Sequence, residues 1–256
     1  MIVLTEVKVI EREHAVERIS NAVVEVMRKH LGAALIGLVV QGSAVKGGFI
    51  AGCSDIDYIL YVEDAALNEA NKLPAKLCLA IHRDLSSIDV SPFRYIQCSV
   101  LSSETNRYLG PIPGSYRLLA GRLLVPEATD DHIYDDAVRS LNGLNLSRTF
   151  DTHGLLDHGE DRIERCTRLM CTVVWPVAFQ LLTVIHKDGT RVWNLPKQEA
   201  VSLLSAVPAV AEEITSFHAA VQSYYPQQDS VEKALQVIHD GMAFLDAAKR
   251  CWESIR

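Results

Sequence analysis

The chain has 256 residues, 48% of them hydrophobic and 22% charged, a balance that fits a folded protein with a substantial core and excludes a wholly disordered one. Its net charge is −7, so the basic footprint of a protein that binds long nucleic acid is absent. No run reaches the roughly 18 uninterrupted apolar residues of a bilayer span, and the opening MIVLTEVKVIEREH lacks the basic start, apolar middle and cleavage site of a signal peptide; the expectation is a cytoplasmic protein with no membrane partner.

In chain order, REHAVERISNAVVEVMRKHL, residues 12–31, places Val16, Ile19, Val23, Val24 and Met27 on one helical face. ALIGLVVQG then reads as a strand ending at a glycine, and DIDYILYV as a second strand rich in Ile, Tyr and Val. Residues 65–84 return to helical spacing, with Pro74 expected to kink or divide the helix. FRYIQCSVL is a third strand, introduced by the turn residues Ser91 and Pro92. The glycines and prolines of GPIPGSYRLLAGRLLVPEATDD, from Gly110, mark a crossing between domains, in which Tyr116 is either a stacking surface or part of an apolar face. Helical patterns follow at about 131–148, 160–187, 197–206, 208–223 and 229–254. The segment from Cys166 to Ile185 is apolar nearly all round and predicts the central helix of a bundle, kinked at Trp175-Pro176. These textures predict an α+β chain: a small mixed sheet with helices over residues 1–125, then an all-α domain over 126–256.

Cysteines at 53, 78, 98, 166, 171 and 251 form no Cys-x-x-Cys pair and fit neither a zinc site nor a disulfide framework. Cys78, Cys98, Cys166 and Cys171 lie in apolar segments and are expected to be buried thiols.

The chemistry-bearing stretch is QGSAVKGGFIAGCSDIDYILYVED, residues 41–64. Strand side chains alternate, so Asp55 and Asp57 share a face and Ile56 takes the other, with the two Cα atoms about 6.5–7 Å apart. Two like charges that close repel unless a cation lies between them. Magnesium takes such oxygen ligands and completes its shell with waters and substrate phosphates. Gly42 lets the backbone approach a ligand, Ser43 offers a hydroxyl and an amide, and Lys46 adds a phosphate-binding charge. Ser54, beside the first aspartate, joins these as a nucleotide-binding candidate.

GLVVQGS followed by DIDYI resembles the signature of the DNA polymerase β nucleotidyltransferase superfamily: hydrophobic-Gly-Gly/Ser, a short gap, then Asp-hydrophobic-Asp/Glu. The texture is similar to that of its small bacterial members, including aminoglycoside nucleotidyltransferases, which follow an α/β catalytic domain with a helical one. The resemblance implies transfer of a nucleoside monophosphate from ATP or another nucleoside triphosphate to a hydroxyl of a small acceptor. Asp55 and Asp57 would hold two magnesium ions, and Ser43 with Lys46 would steady the triphosphate. It also implies a role for Lys197, placed by Pro196 at a helix start, as a cation from the second domain.

The family supplies a third carboxylate from the neighbouring strand, and the matching position here is Gln97, which is neutral and cannot act as a base. Asp89 and Glu104 are the possible stand-ins. An alternative is therefore a degenerate member that binds nucleotide without transferring it. Arg162, Arg165 and Arg168 line one helix side, more simply a solvated face than part of a cleft. FDTHGLLDHGED, residues 150–161, reads as a polar loop rather than a metal site.

Overall fold

The computed structural model describes residues 2–103, 109–159, 161–225 and 227–256, and of residues 2–11 and Arg148 the backbone alone. The chain divides into two units, Met1–Ala128 and Thr129–Arg256. Its class is α+β, a small mixed sheet with helices followed by helices alone.

In the first unit, helix α1 (Ile2–Leu31) leads into strand β1 (Leu35–Gln41) and the short helix α2 (Ser43–Lys46). Strand β2 (Ile56–Val62), helix α3 (Ala75–Leu85) and strands β3 (Ile96–Leu101) and β4 (Tyr116–Gly121) follow. The sheet order is β3-β2-β1-β4, with β1 antiparallel to both β2 and β4 and β2 parallel to β3. A parallel pair needs a crossover, and α3 supplies it. Of the helical pattern at 65–84 only the part after Pro74 forms α3, so this proline divides the segment; it stands just before the first turn, where a missing N–H costs nothing. β4 corrects the expectation that residues 110–131 are only a crossing. Its YRLLAG pairs with β1 along Gly37–Gln41, so tertiary pairing overrides the surrounding glycines and prolines.

The two faces of the sheet differ. Leu38, Val40, Ile56, Tyr58, Leu60 and Val62 join Val16, Ile19, Val23 and Met27 of α1 and Ile81 of α3 in one core. Tyr58 keeps its hydroxyl satisfied there, 3.0 Å from the Ser20 hydroxyl, while burial drives its pKa upward. On the other face Val39, Ile59 and Tyr61 form a smaller cluster with Leu101, Tyr116 and Leu123–Val125. Odd-numbered residues of β2 belong to this second face, Asp57 among them.

Charges pin α1 across α3. One carboxylate oxygen of Asp84 accepts from Lys29 Nζ and pairs with His30 Nε2, both at 2.7 Å. The Lys29 hydrogen bond first, then that of His30, holds the Asp84 carboxyl below the ordinary carboxylate range. A depressed folded-state pKa gives stability that is complete above the unfolded value and is lost as pH falls through the folded one. Asp84→Asn is therefore expected to lower the melting temperature at neutral pH. The gap to wild type should close on acidification below about 4, the ordinary aspartate pKa. Melting curves at several pH values test this, and a gap independent of pH would contradict it.

The second unit is helical: α4 (Asp130–Asn142), α5 (Leu146–Thr149), α6 (Arg162–His186), α7 (Gly189–Trp193), α8 (Lys197–Leu204), α9 (Ala211–Tyr224) and α10 (Val231–Ile255). α6 runs through Pro176 and buries Met170, Val174, Trp175, Ala178, Leu181 and Leu182, which explains its apolar circumference: α4, α7, α8 and α10 all pack on it. By length and composition it could also cross a membrane, but most of its apolar window is buried among these helices. Thr129 caps α4 by accepting the His132 N–H. Asp130 accepts the Thr190 N–H at 2.6 Å, and that bond holds its carboxyl low. The far end of α4 is tied to α10 by the Trp252 indole N–H, which donates to Asn142 Oδ1 at 3.0 Å. Among the cysteines expected to be buried, Cys171 is; Cys98 and Cys166 are half-buried and Cys78 is exposed on α3.

Candidate active site

β1, β2, β3 and β4 end in register at one polar row. Gln41 faces Asp57 across the antiparallel pair, Asp57 faces Gln97 across the parallel pair, and Gln41 faces Tyr116. Directly opposed residues share a sheet face with Cβ atoms about 4.5–5.5 Å apart, so Tyr116, Gln41, Asp57 and Gln97 form one line, on the face that α1 and α3 leave uncovered. One pleat further, Ile56 donates its N–H to the Tyr95 carbonyl at 3.0 Å, which sets Asp55 beside Tyr95. The Tyr95 hydroxyl lies 2.8 Å from Asp55 Oδ2 and 3.0 Å from Gln97 Oε1. Asp55, Asp57, Tyr95 and Gln97 thus make a two-by-two patch on adjacent parallel strands.

The Gly-Ser bend closes over this patch. Gly42 has φ +73, a conformation that glycine alone adopts without strain when ψ is also extended. A Cβ placed on it would stand 3.2 Å from Asp57 Oδ2. The Gly42 N–H donates to the Ser115 carbonyl, and its own carbonyl accepts from Val45 and Lys46, all at 3.0 Å; these bonds fix the bend and start α2 at Ser43. Gly42→Ala is expected to cost on the order of 1–3 kcal/mol of backbone strain and to crowd the Asp57 carboxylate. Thermal melting and ligand titration should both register it, and an unchanged melting temperature would count against the strained bend.

The other sequence candidates fall as follows. Lys46 is half-buried at the far end of α2. Ser54 is buried, and its hydroxyl accepts the Ile50 N–H at 2.9 Å, so it braces the loop that delivers Asp55. Asp89 has a side chain 72% exposed that pairs with Arg18 at 3.4 Å and accepts the Ser91 N–H at 3.0 Å. Glu104 lies outside the described residues. Lys197 begins α8 in the helical unit, its Nζ 5.7 Å from the centroid of the Trp175 ring, a cation–π distance.

Three residues were not foreseen in this role. Tyr95 carried a readable signal: it stands two before Gln97 and so shares its strand face. Arg12 had none; its side chain, only 13% exposed, covers Gly47, where a Cβ would meet Nη1 at 2.8 Å. Glu127 accepts the Tyr116 hydroxyl at 2.7 Å. Desolvation first and this carboxylate second push the Tyr116 pKa to about 12.

In the helical unit, Arg168 reaches Glu164 at 4.0 Å one turn away, while Arg162 and Arg165 are exposed beside a cavity of about 310 Å³ shared with Asp151 and Asp157. A second cavity, about 420 Å³, opens between Phe150 and Leu245. Neither is lined by the polar row. Residues 152–156 form a turn of 3-10 helix, and no cluster of three metal-binding acids, histidines or cysteines occurs among the described residues.

No protein-family model matches the chain, and no curated protein matches it. Among solved structures it is similar to spectinomycin adenyltransferase AAD(9) from Enterococcus faecialis, determined with ATP and spectinomycin. The TM-score is 0.51 and the identity 18%, over 88% of this chain and 97% of that one. It also aligns with CdnC from E. coli MS115-1, determined with ATP, at TM-score 0.35 and 10% identity over 93% and 92% of the two chains. The likeness to the adenyltransferase extends over nearly the whole length and establishes a shared fold.

Proposed function

We propose that this protein transfers a nucleoside monophosphate, AMP from ATP, to a hydroxyl of a small polar acceptor of aminoglycoside type. The observation that carries the reading is Asp57 on the sheet face that α1 and α3 leave uncovered, against the bare Cα of Gly42, with Asp55 beside it at Tyr95. Its support from outside the chain is the fold shared with an adenyltransferase determined with ATP and spectinomycin.

The donor set fits magnesium. Two carboxylates and an adjacent amide oxygen make an all-oxygen donor set of the kind this ion accepts. Asp55 and Asp57 would hold one or two such ions, which when bound neutralise charge on the attacking and leaving oxygens. The bend supplies what the chain itself does: Gly42 admits the triphosphate close to the backbone, and Ser43 and Lys46 offer donors to its oxygens. In the transfer the acceptor oxygen bonds to the α-phosphorus and the bond from that phosphorus to the β-phosphate bridge breaks. Pyrophosphate leaves, and the acceptor proton passes to water or substrate, because Gln97 cannot take it. The same neutral residue favours a second reading, a protein that binds nucleotide without transferring it.

Melting temperature with and without ATP and magnesium, followed by pyrophosphate release over a panel of hydroxylated acceptors, separates the readings. A ligand that binds only the native state must stabilise it. A rise with release supports transfer; a rise without release supports the binding protein; no rise overturns both.

A further inference from the structure

The cavity of about 420 Å³ in the helical unit falls in the size range of small-molecule sites, and its lining defines the chemistry that it can hold. One wall is α10, which contributes Met242, Leu245 and Asp246. The last two stand three and four positions after the first, so all three share one helix side. The opposite wall is α5 and the 3-10 turn after it, with Leu146, Phe150, Asp151 and His153. Phe150 and Leu245 are buried and make an apolar floor, whereas Met242 is 40% exposed, a flexible side chain that adapts to an occupant's shape and packs well on aromatic rings. The carboxylates of the lining meet no lysine or arginine there. Asp151 is already engaged: it accepts the His153 N–H at 3.0 Å and pairs with the ring at 3.5 Å. Asp246 makes no hydrogen bond or ion pair among the described residues, and Lys249 and Arg250, one turn further along α10, do not line the cavity. The smaller cavity is the contrast, because Arg162 and Arg165 there offset Asp151 and Asp157.

We propose that this cavity binds a small organic cation with an apolar body, an arylalkyl ammonium, its ring against Phe150, Leu245 and Met242 and its charge at Asp246. A neutral apolar molecule would fill the floor and leave that carboxylate unpaired. An anion would meet two like charges, and a cation polar on every side would leave the floor bare. Burial of the ring supplies most of the affinity. The exposed carboxylate supplies discrimination among ligands, since an exposed ion pair contributes little more. Every residue of the lining belongs to the helical unit, so the inference stands whether or not Asp55 and Asp57 hold cations.

The chain has 4 methionines, so methyl-labelled methionine spectra of the full chain read the cavity directly through Met242. Phenethylammonium is the probe, and Met27, buried in the other unit, is the internal reference. The Met242 signal, identified by its loss in Met242→Leu, is expected to shift to saturation while that of Met27 stays in place. Asp246→Asn should weaken phenethylammonium by about two- to fivefold, the range of an exposed ion pair. Position 246 is exposed, so folding is safe, and an unchanged unliganded spectrum is the control. Neutral phenethyl alcohol should bind the wild-type chain more weakly by the same factor, and anionic hydrocinnamate more weakly still. Added salt should close the gap between amine and alcohol, because exposed charges are screened. A Met242 signal that phenethylammonium leaves unmoved overturns the proposal. So do amine and alcohol binding equally at low salt, and Asp246→Asn binding the amine at wild-type strength.

Discussion

Asp57→Asn is expected to abolish the rise in melting temperature that magnesium and ATP give the wild-type chain, and with it pyrophosphate release. The substitution changes almost nothing but charge. Asparagine has the shape of aspartate, and position 57 keeps its ladder partners Gln41 and Gln97 on a central strand, so the unliganded protein should fold, and should melt no lower than before because one of two repelling charges is gone. What disappears is one of two negative ligands at the point where the Gly42 bend comes closest. At a hundredfold excess over Kd a native-state ligand contributes about 2.7 kcal/mol, several degrees of melting temperature in a chain of this length. That increment should vanish. Loss of a preorganised electrostatic group costs about 10²–10³ in rate, so release should drop at least a hundredfold. An undiminished thermal shift would remove Asp57 from the site. Asp55→Asn should behave similarly, with one difference: it weakens the acceptor of the Tyr95 hydroxyl, so the unliganded melting temperature should also move.

The central parts of this arrangement were legible because they are local. A Gly-Ser pair at the end of an apolar run and alternate aspartates at the start of the next are readable from spacing alone, and the alternation of strand faces already set both acids on one side. The pairing of Asp57 with Gln97 was also within reach, since FRYIQCSVL reads as a strand. Other features were hidden by long range. β4 lies among glycines and prolines and exists because β1 has an unpaired edge for it; no periodicity within YRLLAG announces that partner. Arg12 covers Gly47 from 35 positions away, and only folding brings α1 over that loop. The pairing of Asp89 with Arg18, 71 positions away, is likewise a contact that sequence does not display. Helix α6, by contrast, was plain from composition, since a helix apolar on every side has to be surrounded.

Gln97→Glu is expected to raise pyrophosphate release, by about 10² at saturating acceptor, the lower end of what a general base contributes. The position already lies beside Asp57 and within reach of the Tyr95 hydroxyl, so a carboxylate there needs no new backbone. Three negative groups on one face then repel in the absence of metal. The Tyr95 hydroxyl can donate to only one of its two carboxylate neighbours. Unliganded Gln97→Glu should therefore melt lower than wild type, yet gain more from magnesium and ATP, because the added charge is relieved only when cations bind. These two shifts have opposite signs, which separates a working third ligand from simple damage: damage lowers both curves together. Rate and metal-dependent stabilisation rising together would mark Gln97 as the residue that slows this site, and a variant with neither change would mean that position 97 faces no reacting group.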